Sequence, residues 1–264
     1  MLEFFHKLGL PMDASSHGRA LDELNVYVHW VMLILFVGWG LFFCYTLWRF
    51  RASNQPKADH DGTKSHAGSY VEISIVIVEF VLLIGFSIPL WANHVDAFPD
   101  PETEDVTDIR VVAQQFVWNI HYPGADGVYG ERRPDLVDPE SNPIGLNTDD
   151  PHAEDDIWTV NDMRFPVNKP VVVRLTSLDV IHCFYLPQMR VKQDIFPGMD
   201  TPAWFVPVKL TPEGANWQIA CAQLCGVGHY RMAGKYHSVS QADFDAWYEA
   251  RHAEMVEEAE GDDW

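Results

Sequence analysis

The residues best suited to bind a metal or do chemistry lie in one short stretch of the 264-residue chain, CAQLCGVGHYRM at 221–232. Its four candidate metal ligands are spaced four, four and three residues apart: Cys221, Cys225, His229 and Met232. Gly226 and Gly228, together with the β-strand predicted just before Cys221, favour a loop folded around an ion over a helix. Thiolate, imidazole and thioether groups are soft ligands that select copper over hard cations, and zinc sites rarely use Met.

The two cysteines exceed what a blue copper site uses, because that site takes one Cys. Two thiolates could instead bridge a pair of copper ions, which requires a second imidazole. His182, at the end of the strand-like segment VVVRLTSLDVIH, is the candidate. Two simpler interpretations stay open: Cys221 and Cys225 could form a disulfide outside the cell, and Met232 could be a core residue. The complete donor set favours a metal.

The other two cysteines are not expected to be ligands. Cys183 follows His182, and because adjacent strand residues point to opposite faces, we expect it to be a packed thiol. Cys44 lies in an apolar block without a partner in the sequence. Four cysteines are also too few for a disulfide-stapled scaffold of this size.

The charge balance excludes one class of function. The chain has 38 acidic and 18 basic residues, a formal net charge of -20. A nucleic-acid-binding protein needs a basic face to neutralise phosphates, and anionic lipid is disfavoured for the same reason. An acidic surface instead suits a basic partner, because opposite fields speed encounter.

Two apolar blocks predict membrane-spanning helices. The first, 26–48, contains no Asp, Glu, Lys or Arg and is long enough for a hydrocarbon core of ~30 Å. The second, 71–91, is nearly as apolar but contains Glu72, Glu79 and Pro89. Both blocks are continuously apolar rather than amphipathic, which favours lipid-exposed spans.

The charged residues around these blocks predict their orientation. The short connection between them contains four basic residues: Arg49, Arg51, Lys57 and Lys64. By the positive-inside rule this connection is cytoplasmic and both termini face outward, toward the periplasm in a bacterial context. The start of the chain, MLEFFHKLGLPM, shows no clear signal-peptide pattern.

The rest of the chain predicts a β-rich domain. We divide the chain into five parts: an N-terminal extracytoplasmic segment 1–25, a transmembrane helical hairpin 26–92, a linker 93–108, an all-β domain 109–240, and a C-terminal helix with an acidic tail 241–264. The short β-rich runs lie at 109–113, 116–121, 170–175, 204–207, 217–220 and 235–239, a pattern typical of an antiparallel sandwich or barrel. Acids, Pro and Gly dominate 126–156, which predicts a long surface loop. Ser240 is expected to cap a helix over 241–258.

Over nearly its whole length the chain resembles subunit II of haem-copper cytochrome c oxidases. After the two apolar blocks, the family's motifs appear in the family's order: VEISIVIVEF, AQQFVWNIHYPG, VNKPVVVRLTSLDVIH, VKQDIFPG and CAQLCGVGHYRM. The resemblance implies a fold in which a two-helix transmembrane hairpin precedes an all-β cupredoxin-like Greek-key barrel. It also implies a binuclear copper centre, CuA, in that barrel.

The resemblance assigns each copper ligand to a residue of this chain. Cys221 and Cys225 would be the bridging thiolates, and His182 and His229 would each bind one copper. Met232 would bind one copper through its thioether, and the main-chain carbonyl of Gln223 would bind the other weakly.

The implied function is that of a respiratory subunit that accepts electrons. The centre would take single electrons from cytochrome c and pass them to the haem of subunit I, where oxygen is reduced to water and protons are pumped. Glu72 matches the family's carboxylate at the cytoplasmic mouth of a proton channel. Glu79 has no counterpart in the family, and its cost in lipid predicts that it faces protein.

The chain departs from the family at two functional positions. The aromatic motif that receives the electron contains Phe116 and Trp118, so Phe116 replaces the usual surface Trp. Gln223 replaces a Glu whose carboxylate holds a magnesium ion shared with subunit I. A neutral amide oxygen weakens the case for magnesium.

The sequence contains no haem-attachment motif, so the donor would be a separate cytochrome c or another subunit. Acids of the 126–156 loop could steer a lysine-rich donor, or could simply keep the surface soluble: Asp135, Asp138, Asp149 and Asp150.

Three alternatives fit the sequence less well. Quinol oxidase subunit II lacks the copper ligands that are present here, and nitrous oxide reductase is a soluble protein with a large propeller domain. A membrane-anchored copper carrier or assembly factor needs exchangeable ligands, whereas a glycine-tightened loop favours permanent retention.

Overall fold

The computed structural model describes residues 2–57, 60–62, 64–101 and 103–261. Met1 and the last three residues of the predicted acidic tail, 262–264, lie outside the described residues. The chain forms two compact units. A helical unit contains 1–9 and 20–97, and a β unit contains 10–19 and 98–264.

The helical unit contains two helices that are long and apolar enough to cross a membrane. A short helix, α1 (Leu2–Lys7), precedes the first of these, α2 (Gly18–Arg49). The second is α3 (Ala67–Leu82), which continues through a π-helix (Leu83–Ser87) into α4 (Ile88–Asp96). The helix α2 begins eight residues before the predicted span, because GRALDELN contains good helix formers and no proline.

The β unit contains ten strands in two five-stranded sheets. In chain order these are β1 (Thr107–Gln114), β2 (Val117–Tyr122), β3 (Ile157–Val160), β4 (Asp162–Pro166), β5 (Val171–Ser177), β6 (His182–Leu186), β7 (Val191–Ile195), β8 (Thr201–Phe205), β9 (Gln218–Cys221) and β10 (Ala233–Val239). The sheet orders are β3-β2-β1-β5-β8 and β4-β10-β9-β6-β7. The predicted fold class, an apolar two-helix segment followed by an all-β barrel-like domain, is confirmed.

Six of the eight strand pairs are antiparallel, the pattern that the sequence predicted, and two are parallel. β1 pairs with β5 and β4 pairs with β10 in parallel, because long connections carry the chain across between these strands. The segment predicted as one strand ending at His182 is also broken. β5 ends at Ser177, and His182 begins β6 after a turn.

The core lies between the two sheets and is rich in aromatic side chains. The largest fully buried side chains are Trp118, Tyr122, Tyr236, Phe165, Phe184 and Phe205. The Tyr122 hydroxyl donates to the Arg164 carbonyl oxygen at 3.0 Å and accepts from the Arg164 amide at 2.8 Å. Since Arg164 lies on the edge strand β4, this hydroxyl links the two sheets.

The 126–156 loop is organised rather than simply solvated. Ile144, Leu146 and Ala153 pack with Val112 in a small separate hydrophobic cluster. At the end of the loop, the buried Asp156 carboxylate lies 2.7 Å from His121 Nε2. The loop is therefore anchored at its middle and at its end.

The C-terminal helix α5 (Gln241–Gly261) covers one end of the β unit. The Asp243 amide donates to the Ser240 hydroxyl at 3.1 Å, which confirms the predicted cap. Phe244, Trp247 and Tyr248 make ring contacts with Tyr122. Residues 10–19, predicted as part of an N-terminal extracytoplasmic segment, pack on the β unit: the Ala14 amide donates to the Gln188 carbonyl at 2.8 Å.

Replacing Tyr122 with Phe should destabilise the β unit by about 1–3 kcal/mol, because the Arg164 amide and carbonyl lose their partner at a partly buried edge. Thermal unfolding of the detergent-solubilised chain, followed by near-ultraviolet circular dichroism, measures the effect. Tyr185→Phe is the matched control, since no hydrogen bond of its hydroxyl is found among the described residues. Equal unfolding temperatures for the two variants would contradict the assigned role.

Candidate metal centre

Two neighbouring strands bring the predicted ligands together. His182 begins β6 and Cys221 ends β9, and these strands are antiparallel with Phe184 opposite Cys221. Residues 222–232 then form a loop that returns the chain to β10 through a short 3₁₀ turn (His229–Arg231). Loop and strand ends thus meet at the same end of the barrel.

Glycines allow the loop to pack tightly. Gly226 has φ +133°, a conformation that side chains other than glycine rarely adopt. A Cβ added at Gly228 would lie 2.4 Å from the Phe116 ring. The sequence prediction that these glycines shape a folded loop, not a helix, is confirmed.

The donor atoms converge on a small volume. His182, Cys221 and Cys225 have ligand atoms that all lie within 4.8 Å of one another. The two Sγ atoms are 3.8 Å apart, and both cysteines are free thiols. Cys225 Sγ is also 3.6 Å from His229 Nδ1 and 3.7 Å from Met232 Sδ. The Gln223 carbonyl oxygen lies 3.1 Å from Cys221 Sγ.

Asp179 fixes the orientation of the His182 ring. Its Oδ1 atom lies 2.8 Å from His182 Nε2, so Nδ1 faces the thiols at 4.0 Å from Cys221 Sγ. Asp179 Oδ2 also accepts a hydrogen bond from the main-chain amide of Gln115 at 2.7 Å. A carboxylate on the second ring nitrogen is the arrangement that metal-binding imidazoles usually have.

The electrostatics of the two thiols differ. Burial would raise the pKa of Cys221, but hydrogen bonds from His182 and the surrounding backbone outweigh it and lower the pKa to about 6. Burial and the neighbouring Cys221 raise the pKa of Cys225 to about 11. The site therefore favours one thiolate at neutral pH, and deprotonating the second requires added positive charge.

The predicted electron-accepting residues lie on one side of the site. Trp118 is fully buried, and its ring centroid is 6.3 Å from that of His182. Phe116 is partly buried against the loop glycines, and the Arg231 guanidinium carbon lies 5.7 Å from its ring centroid. Only Phe116 is close to the surface.

The sequence also singled out the side chains of Glu72, Gln223, Cys183 and Cys44. Glu72 lies in α3, whereas the Gln223 side chain is exposed on the loop. Cys183 is 1% exposed and a free thiol, as predicted, and burial raises its pKa to about 12. Cys44 is exposed on α2 and is also free.

Sequence reasoning missed two residues that support the site. Asp179 lies in the turn before His182, and its position three residues before a candidate ligand was the available signal. Gln115 donates from Nε2 to the Cys225 carbonyl at 2.5 Å. No sequence signal pointed to this contact, since 110 residues separate the two positions.

The chain is similar to known proteins over most of its length. Residues 107–239 match the sequence model of a protein family described as cytochrome c oxidase subunit II, periplasmic domain. The alternative cytochrome c oxidase subunit 2 of Bradyrhizobium diazoefficiens is 32% identical over 89% of this chain and 81% of that protein. Cytochrome c oxidase subunit 2 of Cereibacter sphaeroides is 30% identical over 91% of this chain and 79% of that protein. A crystal structure of the periplasmic domain of subunit II of cytochrome oxidase from Bradyrhizobium japonicum covers 58% of this chain and 97% of that structure, at 26% identity and a TM-score of 0.41.

The lowered pKa of Cys221 predicts selective alkylation. In the metal-free chain, iodoacetamide should label Cys221 faster than Cys225 or Cys183 at pH 7, and the rate should fall as the pH drops through about 6, where the thiolate is protonated. Peptide mass spectrometry reads the labelled position. His182→Ala should move the pH midpoint upward; an unchanged midpoint would show that His182 does not stabilise the thiolate.

Proposed function

Because the chain belongs to the cytochrome c oxidase subunit II family, we propose that it is the electron-accepting subunit of a bacterial respiratory oxidase. The observation that carries the proposal is the convergence of two thiols and His182 within 4.8 Å. In this function the subunit receives electrons from cytochrome c and passes them to the haem of subunit I. Oxygen reduction to water and proton pumping take place in the assembled enzyme.

We propose that the site binds two copper ions. Soft donors suit copper, and two thiols 3.8 Å apart can each contact two metals. His182 and His229 approach the thiols at 4.0 and 3.6 Å, so each could supply an imidazole to one copper. Met232 and the Gln223 carbonyl complete the set. When bound, the two coppers would together accept and release one electron.

The protein residues keep this site rigid. Asp179 hydrogen-bonds the His182 ring, and the side-chain amide of Gln115 donates a hydrogen bond to the main-chain carbonyl of Cys225. Phe116 fills the space that side chains at the loop glycines would take. Because the ligands are already in place, little rearrangement accompanies a change of charge, and the positive charge of the metals replaces the proton on the second thiol.

The proposed donor is cytochrome c or a similar haem c protein with a basic surface. The 126–156 loop presents acids that stay ionised at neutral pH. The Ser141 and Glu140 amides lower the pKa of Asp138, and the Arg133 guanidinium lowers that of Asp135. Fixed negative charge of this kind would steer a basic donor toward the barrel.

The proposed route for the electron runs from the surface through aromatic residues. Phe116 is the outer position, and Trp118 is the buried ring beside His182.

The proposed membrane orientation follows the basic residues. The connection between the spans would be cytoplasmic, and the copper domain would lie on the periplasmic side. Glu72 would then lie near the cytoplasmic surface, at the mouth of a proton path formed with subunit I. Further oxidase subunits and membrane lipid would complete its surroundings. The exposed Gln223 amide is a weak magnesium ligand, so we do not assign magnesium to the site.

Electron paramagnetic resonance of the copper-loaded full chain tests the centre. We expect a seven-line hyperfine pattern from one electron shared by two coppers. Cys221→Ser and His229→Ala should abolish it, because each removes a donor. Cys183→Ala is the matched control and should keep it, since that thiol is not among the donor atoms that converge on the site. A four-line spectrum, or bound copper without a signal, would favour a copper carrier instead.

Phe116 substitutions test the electron route. Phe116→Trp should increase the rate of reduction by cytochrome c at low ionic strength, because it enlarges the aromatic ring at the outer position. Phe116→Leu should decrease that rate, because it removes the ring. The copper spectrum of each variant serves as the control for an intact site. Unchanged rates in both variants with normal spectra would place electron acceptance elsewhere.

A further inference from the structure

A cavity of about 270 Å³ opens in the β unit, away from the copper donors. It lies between the 126–156 loop, the end of β5 and the connection from β7 to β8. Since a cavity of about 150 Å³ already holds benzene, this one has room for a ring or a short hydrocarbon chain. Much of its lining is apolar: Pro134, Val137, Ile144, Leu178 and Met199.

Arg132 brings an uncompensated charge to the lining of this cavity. Its guanidinium is half-buried, and its Nε donates to the Ile144 carbonyl at 2.9 Å. Among the described residues the rest of the guanidinium has no hydrogen-bond partner, and it forms no ion pair. Burial and the charge of Arg110 lower the pKa of Arg132 to about 10, so the group stays protonated at neutral pH. A partly buried charge without a partner is costly, and an anion in the cavity would remove that cost.

A second guanidinium without a carboxylate partner lies nearby. Arg110, on β1, lies over the Tyr129 ring, with its guanidinium carbon 4.0 Å from the ring centroid. Within the described part of the chain it forms no ion pair. Its neighbour across the sheet, Arg174, is by contrast paired with Asp108 at 2.8 Å. Two unpaired guanidinium groups therefore lie close together in a chain whose net charge is -20.

The other polar groups of the lining leave this charge available. Asp200 is exposed and raises the pKa of Arg132, but the two side chains form no ion pair. Arg133 is exposed and already paired with Asp135 at 2.6 Å. The Thr176 hydroxyl lines the cavity and has no hydrogen-bond partner among the described residues, so it is free to donate to a ligand.

We propose that this cavity binds a small organic carboxylate. The carboxylate group pairs with the Arg132 guanidinium and accepts a hydrogen bond from Thr176, and the hydrocarbon part packs against Ile144 and Leu178. The planar donors of a guanidinium match the two oxygens of a carboxylate. An inorganic anion would meet the charge but make no use of the apolar lining. The site shares no residue with the copper donors, so it goes beyond the proposed function and does not depend on it.

Equilibrium dialysis of radiolabelled benzoate against the detergent-solubilised full chain tests the site, with empty micelles as the blank. We expect saturable binding of one benzoate per chain. Benzamide has the same shape without the charge and should bind about tenfold or more weakly, because it loses the charge-assisted hydrogen bonds. Phosphate at the same concentration should not displace benzoate. No saturable binding, equal affinity for benzamide, or displacement by phosphate would overturn the proposal.

Three substitutions test the assigned residues. Arg132→Gln should weaken benzoate binding about tenfold or more, and Thr176→Val should weaken it several-fold without changing any charge. Arg133→Gln is the matched control and should change the affinity by less than about twofold, because an exposed, already paired guanidinium contributes little. Near-ultraviolet circular dichroism checks that each variant is folded, and Thr176→Val carries the test if Arg132→Gln does not fold. Unchanged affinity in folded Arg132→Gln or in Thr176→Val, or an equal loss in Arg133→Gln, would contradict the assignment.

The assembled oxidase distinguishes a free ligand from a carboxylate side chain of a partner subunit. We expect benzoate to bind the assembled oxidase as it binds the isolated chain. Binding by the isolated chain that disappears on assembly would show that a partner's side chain fills the cavity, and would overturn the free ligand. The copper spectrum is read separately in each case, so failure of the cavity and failure of the copper centre are told apart.

Discussion

The convergence of two thiols and the His182 imidazole within 4.8 Å of one another constrains the end of the β unit that holds them. Thiolates this close repel each other, and burial disfavours their charge, so without a metal the site holds one thiolate at Cys221 and a protonated Cys225. The fold brings these donors together by pairing β6 with β9, which sets His182 beside the loop that begins at Cys221. The loop then supplies every other donor over a short stretch of chain.

Residues distant in the sequence keep that loop in place. Gln115 and Phe116 lie at the turn between β1 and β2. The Gln115 side-chain amide contacts the loop backbone, and the Phe116 ring contacts the loop glycines. Asp179 orients His182 and also accepts a hydrogen bond from the Gln115 main-chain amide. The turn, the loop and the strand end therefore form one connected structure. Trp118 extends it into the core through its ring contacts with His182 and Phe184. Two of these residues, Phe116 and Trp118, also lie on the proposed path of the electron.

The helical unit has a different physical constraint. Its two long helices have large apolar surfaces that no other part of the described chain buries, as expected for segments solvated by lipid. Glu79 is the exception within that surface. Its carboxyl group places near the middle of the span Ala67–Asp96 a hydrogen-bonding group that acyl chains cannot satisfy.

Much of this could be predicted from the sequence, because it depends on local chemistry. Soft donors at fixed spacing in CAQLCGVGHYRM indicated copper, two uncharged or nearly uncharged blocks indicated the spans, and Ser240 indicated a helix start. Tertiary structure alone decided the parallel pairing of β1 with β5, the break that makes His182 the first residue of β6, the contact of Gln115 with Cys225, and the folding of the acidic loop around Ile144 and Asp156. These features arise from contacts between residues far apart in the chain, where the free energy of packing and of satisfying buried polar groups overrides local preference.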